Sequence, residues 1–381
     1  MKKVLLMIFM FGIGLGLGMF IPWVIGEGNM DKMGVGLCMA SGFAMILGAY
    51  VILIFTTIVH EFGHLVCGLK SGYKFVSFRV LSFSLCKYED GYKMKRFAIP
   101  GTGGQCLMAP PEYNDGRYPY KLYLSGGNIA TAILLSIEAL IVLLVGTEYF
   151  VARVSLMAAI ISLYLLVMNG IPMKVSGIAN DAYDVKNLDK NPEQKRELWQ
   201  TLDVNAKTHN GALLSQVGID FDGMDDEESL KGIAGIGMQM KLAMKINYLV
   251  SEKRFEDAYG LCKKILDEKE VIELYKNELK CDKMFLEIVL GKESKVKKTY
   301  SKMLKNYIKT TYKYMLPRKR LMYAYYLLIE KDLEKAAKEK ASFDSFCLKA
   351  ADLGEIKSEK MLMEYIDTLH SQKLEAKEME A

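Results

Sequence analysis

The pentapeptide His60-Glu61-Phe62-Gly63-His64 is the part of the chain best suited to chemistry, and it follows a long apolar run. Residues i and i+4 lie on one face of a helix, so the imidazoles of His60 and His64 can reach a single metal ion. The carboxylate of Glu61 projects beside them, where it can take a proton from a water molecule that the metal activates. Placing such groups beside hydrocarbon is costly, so the pattern predicts a zinc site with Glu61 as the general base.

A hydrolytic zinc site needs a third protein ligand, because zinc usually keeps three protein ligands and one open position for water. No further histidine lies near an apolar run, but Asp181 and Asp184 follow the last of these runs. Gly170 and Pro172 break the helix before them, which is tolerated at membrane depth where the backbone lines a cavity. We predict Asp181 as the third ligand, with Asp184 as the alternative.

The composition separates an apolar first half from a polar second half. Hydrophobic residues make up 51% of the 381 residues, and Lys and Glu dominate the second half. The net charge of +5 is modest, and we expect no nucleic-acid partner. The 7 cysteines are scattered without a CxxC pair, which favours reduced thiols over disulfides or a thiolate metal site. His209 and His370 lie in polar helical sequence and are predicted at the surface.

Four apolar runs are long enough to cross a bilayer of about 30 Å. They cover residues 4–25, a stretch from about residue 34 through residues 60–64, which we call the metal motif, and residues 122–145 and 150–171. The first run follows Met1-Lys2-Lys3, a start typical of signal peptides. It lacks a clear cleavage site and is long for a signal sequence, so we favour an uncleaved helix. The sequence therefore predicts a multi-pass protein in the lipid bilayer of a cell membrane.

Basic residues indicate the orientation of these spans. The loop 69–121 carries nine Lys and Arg residues, whereas only Lys32 and Arg153 lie near the opposite connections. The positive-inside rule then predicts that this loop, the N-terminus and the part after residue 172 are cytoplasmic. Counting about 20 residues from the start of the second span places the metal motif in the inner part of the membrane.

The order of the motifs resembles the site-2 protease family of intramembrane zinc metalloproteases, peptidase family M50. The resemblance is carried by the HExxH pattern on an apolar helix, by Gly126-Gly127-Asn128 at the start of a later helix, and by Asn169-Gly170-Ile171-Pro172 followed by Asp181. It covers roughly residues 35–185, and the segment 99–108 is also similar to bacterial-type members. Ala182 stands where the family usually has glycine after the aspartate.

The resemblance implies a set of residue roles. The zinc ligands would be His60, His64 and Asp181. Glu61 would be the catalytic base, and Asn128 and Asn169 would support the substrate or the oxygen that zinc binds. Substrates would be transmembrane proteins or remnant signal peptides, cleaved near the cytosolic face. The resemblance thus implies a zinc metalloendopeptidase that hydrolyses peptide bonds within the membrane.

An acidic residue inside the third span has no role in that family. Glu138 is flanked by leucine, isoleucine and alanine. An intramembrane carboxyl group is a functional candidate by default. We favour a protonated side chain that is hydrogen-bonded to a hydroxyl group, such as that of Thr56 or Thr57.

The cytoplasmic loop contains a predicted β-hairpin. Residues 75–85 and 92–99 alternate in the manner of strands, and Glu89-Asp90-Gly91 marks the turn between them. In the family, strands near the site can pair with an unwound substrate. The alternative is a hairpin that merely covers the membrane face of the protein.

The second half of the chain predicts helices and a linker. Residues 185–234 contain a helix that is capped by Asn191 and ends near Ala206, followed by an acidic linker. Residues 235–381 predict an all-α domain, in which turn-like stretches recur at about forty-residue spacing, namely 248–258, 289–294 and 328–336. This spacing is weakly similar to tetratricopeptide repeats, and a plain helical bundle fits as well. Either version suggests a surface for a protein partner.

Together these features predict a mainly α, polytopic membrane protein with about four transmembrane helices, a small β-hairpin and a C-terminal cytosolic all-α domain. Residues 1–184 would form the membrane-embedded zinc metalloprotease domain, residues 185–234 a helix and linker, and residues 235–381 the cytosolic domain. The first rival function is a catalytically inactive membrane adaptor that recruits partners through its helical tail. A second rival, a transporter that uses Glu138 as a relay, would be expected to show an internal repeat.

Overall fold

The computed structural model describes residues 35–99, 102–175, 178–219, 221 and 236–380. Within these ranges the chain is mainly helical, with a four-stranded antiparallel sheet and a two-stranded ribbon. The predicted mainly α class is thus confirmed for this part of the chain. The predicted span at residues 4–25 and most of the predicted acidic linker lie outside the described residues.

Three described helices are long and apolar enough to cross a membrane. They are α1 (Val35–Lys70), whose residues Gly42–Lys70 meet this criterion, α2 (Tyr120–Val145) and α3 (Phe150–Gly170). Each agrees with a predicted apolar run to within a few residues, so the prediction of a membrane protein is confirmed at this level. The 36 residues of α1 extend over about 54 Å, which exceeds the hydrocarbon thickness of about 30 Å.

Helices α1 and α2 pack with glycine backbone against glycine backbone. A Cβ atom added to Gly63 would lie 2.2 Å from the carbonyl oxygen of Gly126, and one added to Gly126 would lie 2.4 Å from that of Gly63. Small residues at a helix interface allow this close approach. As a result, the metal motif on α1 lies directly against the backbone of α2.

The polar loop between α1 and α2 forms the four-stranded sheet. Its strands are β1 (Lys74–Val80), β2 (Phe83–Tyr88), β3 (Gly91–Arg96) and β4 (Gly104–Ala109), in the order β3-β2-β1-β4. Strand β4 runs beside the second half of α1, from Gly103 near Thr57 to Met108 near Gly68. The sheet therefore lies along the same part of α1 that carries the metal motif.

The loop forms four strands, whereas the sequence predicted a hairpin of two. The predicted turn at Asp90-Gly91 joins β2 to β3, but the predicted strand 75–85 is two strands, and β4 was not predicted. The chain turns at Leu81, which has a φ of 53°. Buried Arg79 fixes this turn, because its guanidinium donates hydrogen bonds to the carbonyl oxygens of Leu81 (2.8 Å) and Gly104 (3.3 Å).

After α3 the chain returns towards the metal motif through a short ribbon. The ribbon consists of β5 (Lys174–Val175) and β6 (Ile178–Ala179) and leads into α4 (Asp181–Asn187). A 3₁₀ turn then precedes α5 (Pro192–His209). The predicted cap of α5 is confirmed, because the side chain of Asn191 accepts a hydrogen bond from the backbone N–H of Gln194 at 3.2 Å.

The prediction that His209 lies at the surface is wrong. The residue is 3% exposed, and its ring stacks on that of Tyr88 in β2, with centroids 4.8 Å apart and an interplanar angle of 2°. The polar sequence around His209 concealed this burial, because the covering groups come from the sheet and from the C-terminal part of the chain.

The C-terminal part is all-α and has its own core. Its helices are α6 (Ile236–Ser251), α7 (Phe255–Asp267), α8 (Glu273–Val289), α9 (Glu293–Thr299), α10 (Lys302–Thr311), α11 (Leu316–Ala324) with a following π-helical turn, α12 (Leu333–Cys347) and α13 (Leu353–Glu380). In the described part of the chain, the buried cluster at its centre contains only residues from Phe221 onward. The core of this part therefore contains no residue of the three apolar helices.

Three helices of this domain end in the same way, inside the three predicted turn stretches. Lys253, Gly291 and Lys331 have φ values of 59°, 70° and 58°, and each follows the end of a helix. A left-handed residue after a helix closes the last turn and redirects the chain. The recurring turn is compatible with both helical repeats and a bundle, so the tetratricopeptide likeness stays a prediction.

The glycine contact between α1 and α2 generates a prediction. Gly63→Ala should lower the free energy of unfolding by about 1–3 kcal/mol, because the added methyl group meets backbone that cannot move aside alone. Heat denaturation of the purified protein, followed by circular dichroism, measures the change. Gly48→Ala is the matched control on the same helix, since no described residue lies within 4 Å of its added Cβ. Equal stability of the two variants would contradict the prediction.

Candidate metal centre

The side chains of His60, His64 and Asp181 converge on one point. The Nε2 atoms of the two histidines are 3.3 Å apart. One carboxylate oxygen of Asp181 lies 3.5 Å from the Nε2 atom of His60 and 3.3 Å from that of His64. Among the described residues, these three form the group of His, Cys, Asp and Glu side chains that is close enough to hold a metal ion. Asp184 does not belong to the group.

Helix α2 determines the protonation of both imidazoles. His64 Nδ1 lies 2.9 Å from the carbonyl oxygen of Tyr123, which can only accept, so Nδ1 carries the proton. The hydroxyl of Thr131 donates to the carbonyl oxygen of Gly127 at 2.9 Å and therefore accepts from His60 Nδ1 at 3.1 Å. In neutral imidazoles with these tautomers, both Nε2 lone pairs face the shared point.

This donor set fits a tetrahedral metal ion. Ligand atoms that each lie about 2.0–2.2 Å from zinc are separated by about 3.3 Å in a tetrahedral site, and the three observed separations are 3.3, 3.3 and 3.5 Å. Gly127 leaves room beside both donors, because a Cβ atom there would lie 2.4 Å from His64 Nε2 and 2.5 Å from His60 Nε2. The geometry therefore suits the predicted ligands, and zinc as the ion stays a prediction.

Asn180, which the sequence analysis missed, holds Asp181 in place. Its side chain accepts hydrogen bonds from the backbone N–H groups of Met173 (3.1 Å) and Tyr183 (3.0 Å). The same side chain donates to the carbonyl oxygens at the end of α3, at Met168 and Ile171. Asparagine is a preferred N-cap residue, so its position just before the predicted ligand was the available signal.

The two acidic residues of α4 differ in their electrostatic environment. Burial raises the pKa of Asp181, but when the imidazoles of His60 and His64 are protonated, their hydrogen bonds and charges outweigh burial and lower it to about 2. Burial, and then the charge of Asp181, raise the pKa of Asp184 to about 6. Of the two, Asp181 therefore keeps the ionised form, which a metal ligand needs, down to a lower pH.

Strand β4 and Tyr123 position Glu61. The backbone N–H of Cys106 donates to the Glu61 carboxylate, and a Cβ atom at Gly104 would lie 2.6 Å from Glu61 Cγ. The hydroxyl of Tyr123 donates to the carbonyl oxygen of Cys106 at 2.9 Å. Tyr123 therefore contacts both a candidate ligand, through its backbone, and the strand that holds the candidate base, through its side chain. No local signal in the sequence pointed to Tyr123 or Gly104, since their partners lie on other elements.

The cluster lies in a cavity of about 560 Å³. Its wall comprises apolar residues of α1, strand β4, the start of α2, the end of α3 and two residues of α5, Leu202 and Asn205. Asn169 contributes to this wall. Asn128 instead faces a separate groove of about 460 Å³ between α2, α3 and α4, and its side-chain amide donates to the carbonyl oxygen of Asn169 at 3.2 Å.

Glu138 lies away from this cavity and has a different neighbour from the predicted one. Its side chain is buried beside Ser162 of α3. Thr56 and Thr57 donate their hydroxyls to carbonyl oxygens of their own helix, those of Ile52 and Leu53. The neighbouring hydroxyl group is therefore that of Ser162 on α3, and not that of either threonine named as an example.

Comparison of the chain with protein-family models, with curated proteins and with solved structures found no match. The geometry of the cluster, together with the motif resemblance, is thus what supports an assignment of function.

The cap of α4 generates a prediction about metal binding. Asn180→Ala should weaken zinc affinity by about 10- to 100-fold, because Asp181 loses the side chain that fixes the start of its helix. Titration of metal-free protein against a zinc chelator measures the affinity. Asn187→Ala, at the other end of α4, removes a hydrogen bond to the carbonyl oxygen of Tyr183 and should leave the affinity unchanged. Equal affinity in both variants would rule out the positioning role of Asn180.

Proposed function

We propose that this protein is an intramembrane zinc metalloprotease of the site-2 protease type. The observation that carries the proposal is the convergence of His60, His64 and Asp181 in one cavity that also contains the carboxylate of Glu61. Two imidazoles and one carboxylate are a donor set found in hydrolytic zinc sites. Such a site also needs a nearby base that accepts a proton from water.

The surroundings of the cluster favour a substrate that comes from the membrane. His60 lies about 15 Å along the helix from Lys70, the last residue of α1. Before the metal motif, the cavity wall on α1 is formed by Tyr50, Leu53 and Ile54, and Tyr50 is exposed. Transmembrane proteins or remnant signal peptides can approach such a site from the lipid. The loop charges favour cleavage near the cytosolic face.

The residues at and around the cluster have distinct roles in the proposed hydrolysis. A zinc ion held by the three ligands would polarise the scissile carbonyl group and lower the pKa of a water molecule. Glu61 takes the proton of the attacking water and returns it to the leaving amine. The Cys106 amide keeps the Glu61 carboxylate beside the ligands, and Asn169 is better placed than Asn128 to contact the peptide.

A substrate must be unwound at the scissile bond, because a transmembrane helix satisfies its own backbone hydrogen bonds. Strand addition to β4 would supply new partners. At Cys106, however, the outward N–H group and carbonyl group are already bonded to Glu61 and Tyr123. A peptide that pairs along β4 therefore has to do so beyond Cys106, or else displace the base.

One observation favours the alternative function, a membrane adaptor without catalysis. The C-terminal helices form a core of their own, which suits a surface for a protein partner. In that case a metal at the cluster would be structural, and Glu61 would have no role.

Glu61→Gln distinguishes the two functions. The variant should lose cleavage by at least about 10²-fold and keep its zinc, because only the proton acceptor is removed. Mass spectrometry of membrane peptides from cells with native or variant protein measures cleavage, and peptides that accumulate with the variant identify substrates. Glu138→Gln is the matched intramembrane control and should cleave normally. An unchanged peptide pattern in Glu61→Gln, with zinc bound, would favour the adaptor.

Tyr123→Phe tests how the base is positioned. Removing the hydroxyl frees β4 from α2 but keeps the backbone oxygen that accepts from His64, so kcat should fall about tenfold while zinc content stays constant. Turnover of a substrate identified with Glu61→Gln is the readout. Tyr73→Phe is the control, because the buried hydroxyl of Tyr73 has no hydrogen-bond partner among the described residues and its ring stacks on Tyr123. A normal kcat in Tyr123→Phe would show that β4 needs no such anchor.

A further inference from the structure

Helix α5 connects the catalytic cavity with the C-terminal helices. Its residues Leu198, Trp199 and Leu202 pack against the buried cluster that contains Tyr123 and Cys106. The indole N–H of Trp199 donates to the carbonyl oxygen of Pro111 at 2.8 Å. The first part of α5 is thus fixed to the membrane half of the molecule.

The last turn of α5 contacts the C-terminal domain instead. The hydroxyl of Thr208 donates to the side chain of Asp352 at 2.7 Å. Beside it, the hydroxyl of Tyr88 in β2 donates to the carbonyl oxygen of Ala351 at 2.7 Å. Gly354 completes the contact, because a Cβ atom there would lie 2.2 Å from the carbonyl oxygen of Ala212. We call this contact, formed by residues 351–354 with Tyr88 and residues 208–212, the junction.

A second cavity lies at the junction and shares a wall with the first. It has a volume of about 290 Å³, and its lining includes Asn205 and Thr208 of α5 together with Arg320, Asp352 and Glu355. Asn205 also lines the catalytic cavity. One residue of α5 therefore stands between the catalytic cavity and the space under the C-terminal domain.

The junction has few contacts, and closing it buries a polar atom, which is unfavourable in free energy. His209 is buried there, and its Nε2 atom has no hydrogen-bond partner in the described structure. An unpaired buried nitrogen regains its hydrogen bond when water reaches it, so opening the junction recovers part of the lost contacts. Since the C-terminal helices keep their own core, the domain can move as a unit.

We propose that the C-terminal helical domain is the cytosolic gate of the catalytic cavity. When it is docked through the junction, it holds the last turn of α5 so that Asn205 closes the cavity. When it is released, for example by a protein partner of the domain, a path opens past Asn205 for water and cleavage products. The gate rests on the proposed function, because it controls access to the catalytic cavity of that protease. The movement of the C-terminal domain itself depends on neither zinc nor cleavage.

The accessibility of residue 205 tests the gate. Asn205→Cys in the full-length protein is treated with a charged maleimide, and the labelling of the parent protein, whose six described cysteines are free thiols, is subtracted. Adding Thr208→Val and Tyr88→Phe removes both junction hydrogen bonds and should raise the labelling rate at least fivefold. The matched pair Thr310→Val and Tyr73→Phe, away from the junction, should leave the rate unchanged. Equal rates in the two backgrounds would overturn the proposal.

A cross-link provides the opposite test in case the double variant does not fold. Lys95 donates to the carbonyl oxygen of Leu348 at 3.2 Å on the same side of the junction. Lys95→Cys and Leu348→Cys, joined by a short bis-maleimide, should slow amide hydrogen exchange in residues 204–209 and lower turnover. Unchanged exchange after complete cross-linking would overturn the gate. Loss of cleavage without any change in exchange or labelling would count against the gate but not against the protease.

Discussion

The close approach of α1 and α2 at Gly63 and Gly126 is the constraint on which the candidate site depends. With the two backbones in contact, the motif histidines of α1 reach the carbonyl oxygen of Tyr123 and the hydroxyl of Thr131 on α2. These two bonds fix the tautomers, and the tautomers direct both Nε2 lone pairs to one point. A side chain at either glycine would push the helices apart, and both bonds would lengthen together.

Polar side chains among packed apolar helices need hydrogen-bond partners on neighbouring elements. Here most of these partners are backbone groups. The Glu61 carboxylate accepts a hydrogen bond from the backbone N–H of Cys106, and the Tyr123 hydroxyl donates one to the carbonyl oxygen of Cys106. Asn180 bonds four backbone groups around the end of α3. Backbone partners cannot rotate away as side chains do, so they hold catalytic geometry more rigidly.

The sequence alone predicted the elements whose signals are local. The apolar runs predicted α1 to α3, the asparagine cap predicted the start of α5, and Gly91 predicted the turn between β2 and β3. Features that depend on distant partners were missed. The split at Leu81 requires Arg79 to reach across to β4, and the burial of His209 requires Tyr88. For the same reason, the sequence left Asp181 and Asp184 open, and only the return of the chain after α3 brings Asp181 to the histidines.

Helix α4 links the candidate metal ligands to the elements that follow α3. Two of the candidate ligands belong to α1, whereas the third is the first residue of a helix that leads within a few residues to α5. A cation at this point would join the membrane helix to the segment that carries Leu202 and Asn205 of the cavity wall. Without a cation and with neutral imidazoles, two lone pairs and an ionised carboxylate face one another across 3.3–3.5 Å, an arrangement that repulsion and burial both disfavour. The wall of the cavity is therefore expected to be best ordered when the metal is bound, because the same ion satisfies the donors and anchors the chain that closes the cavity.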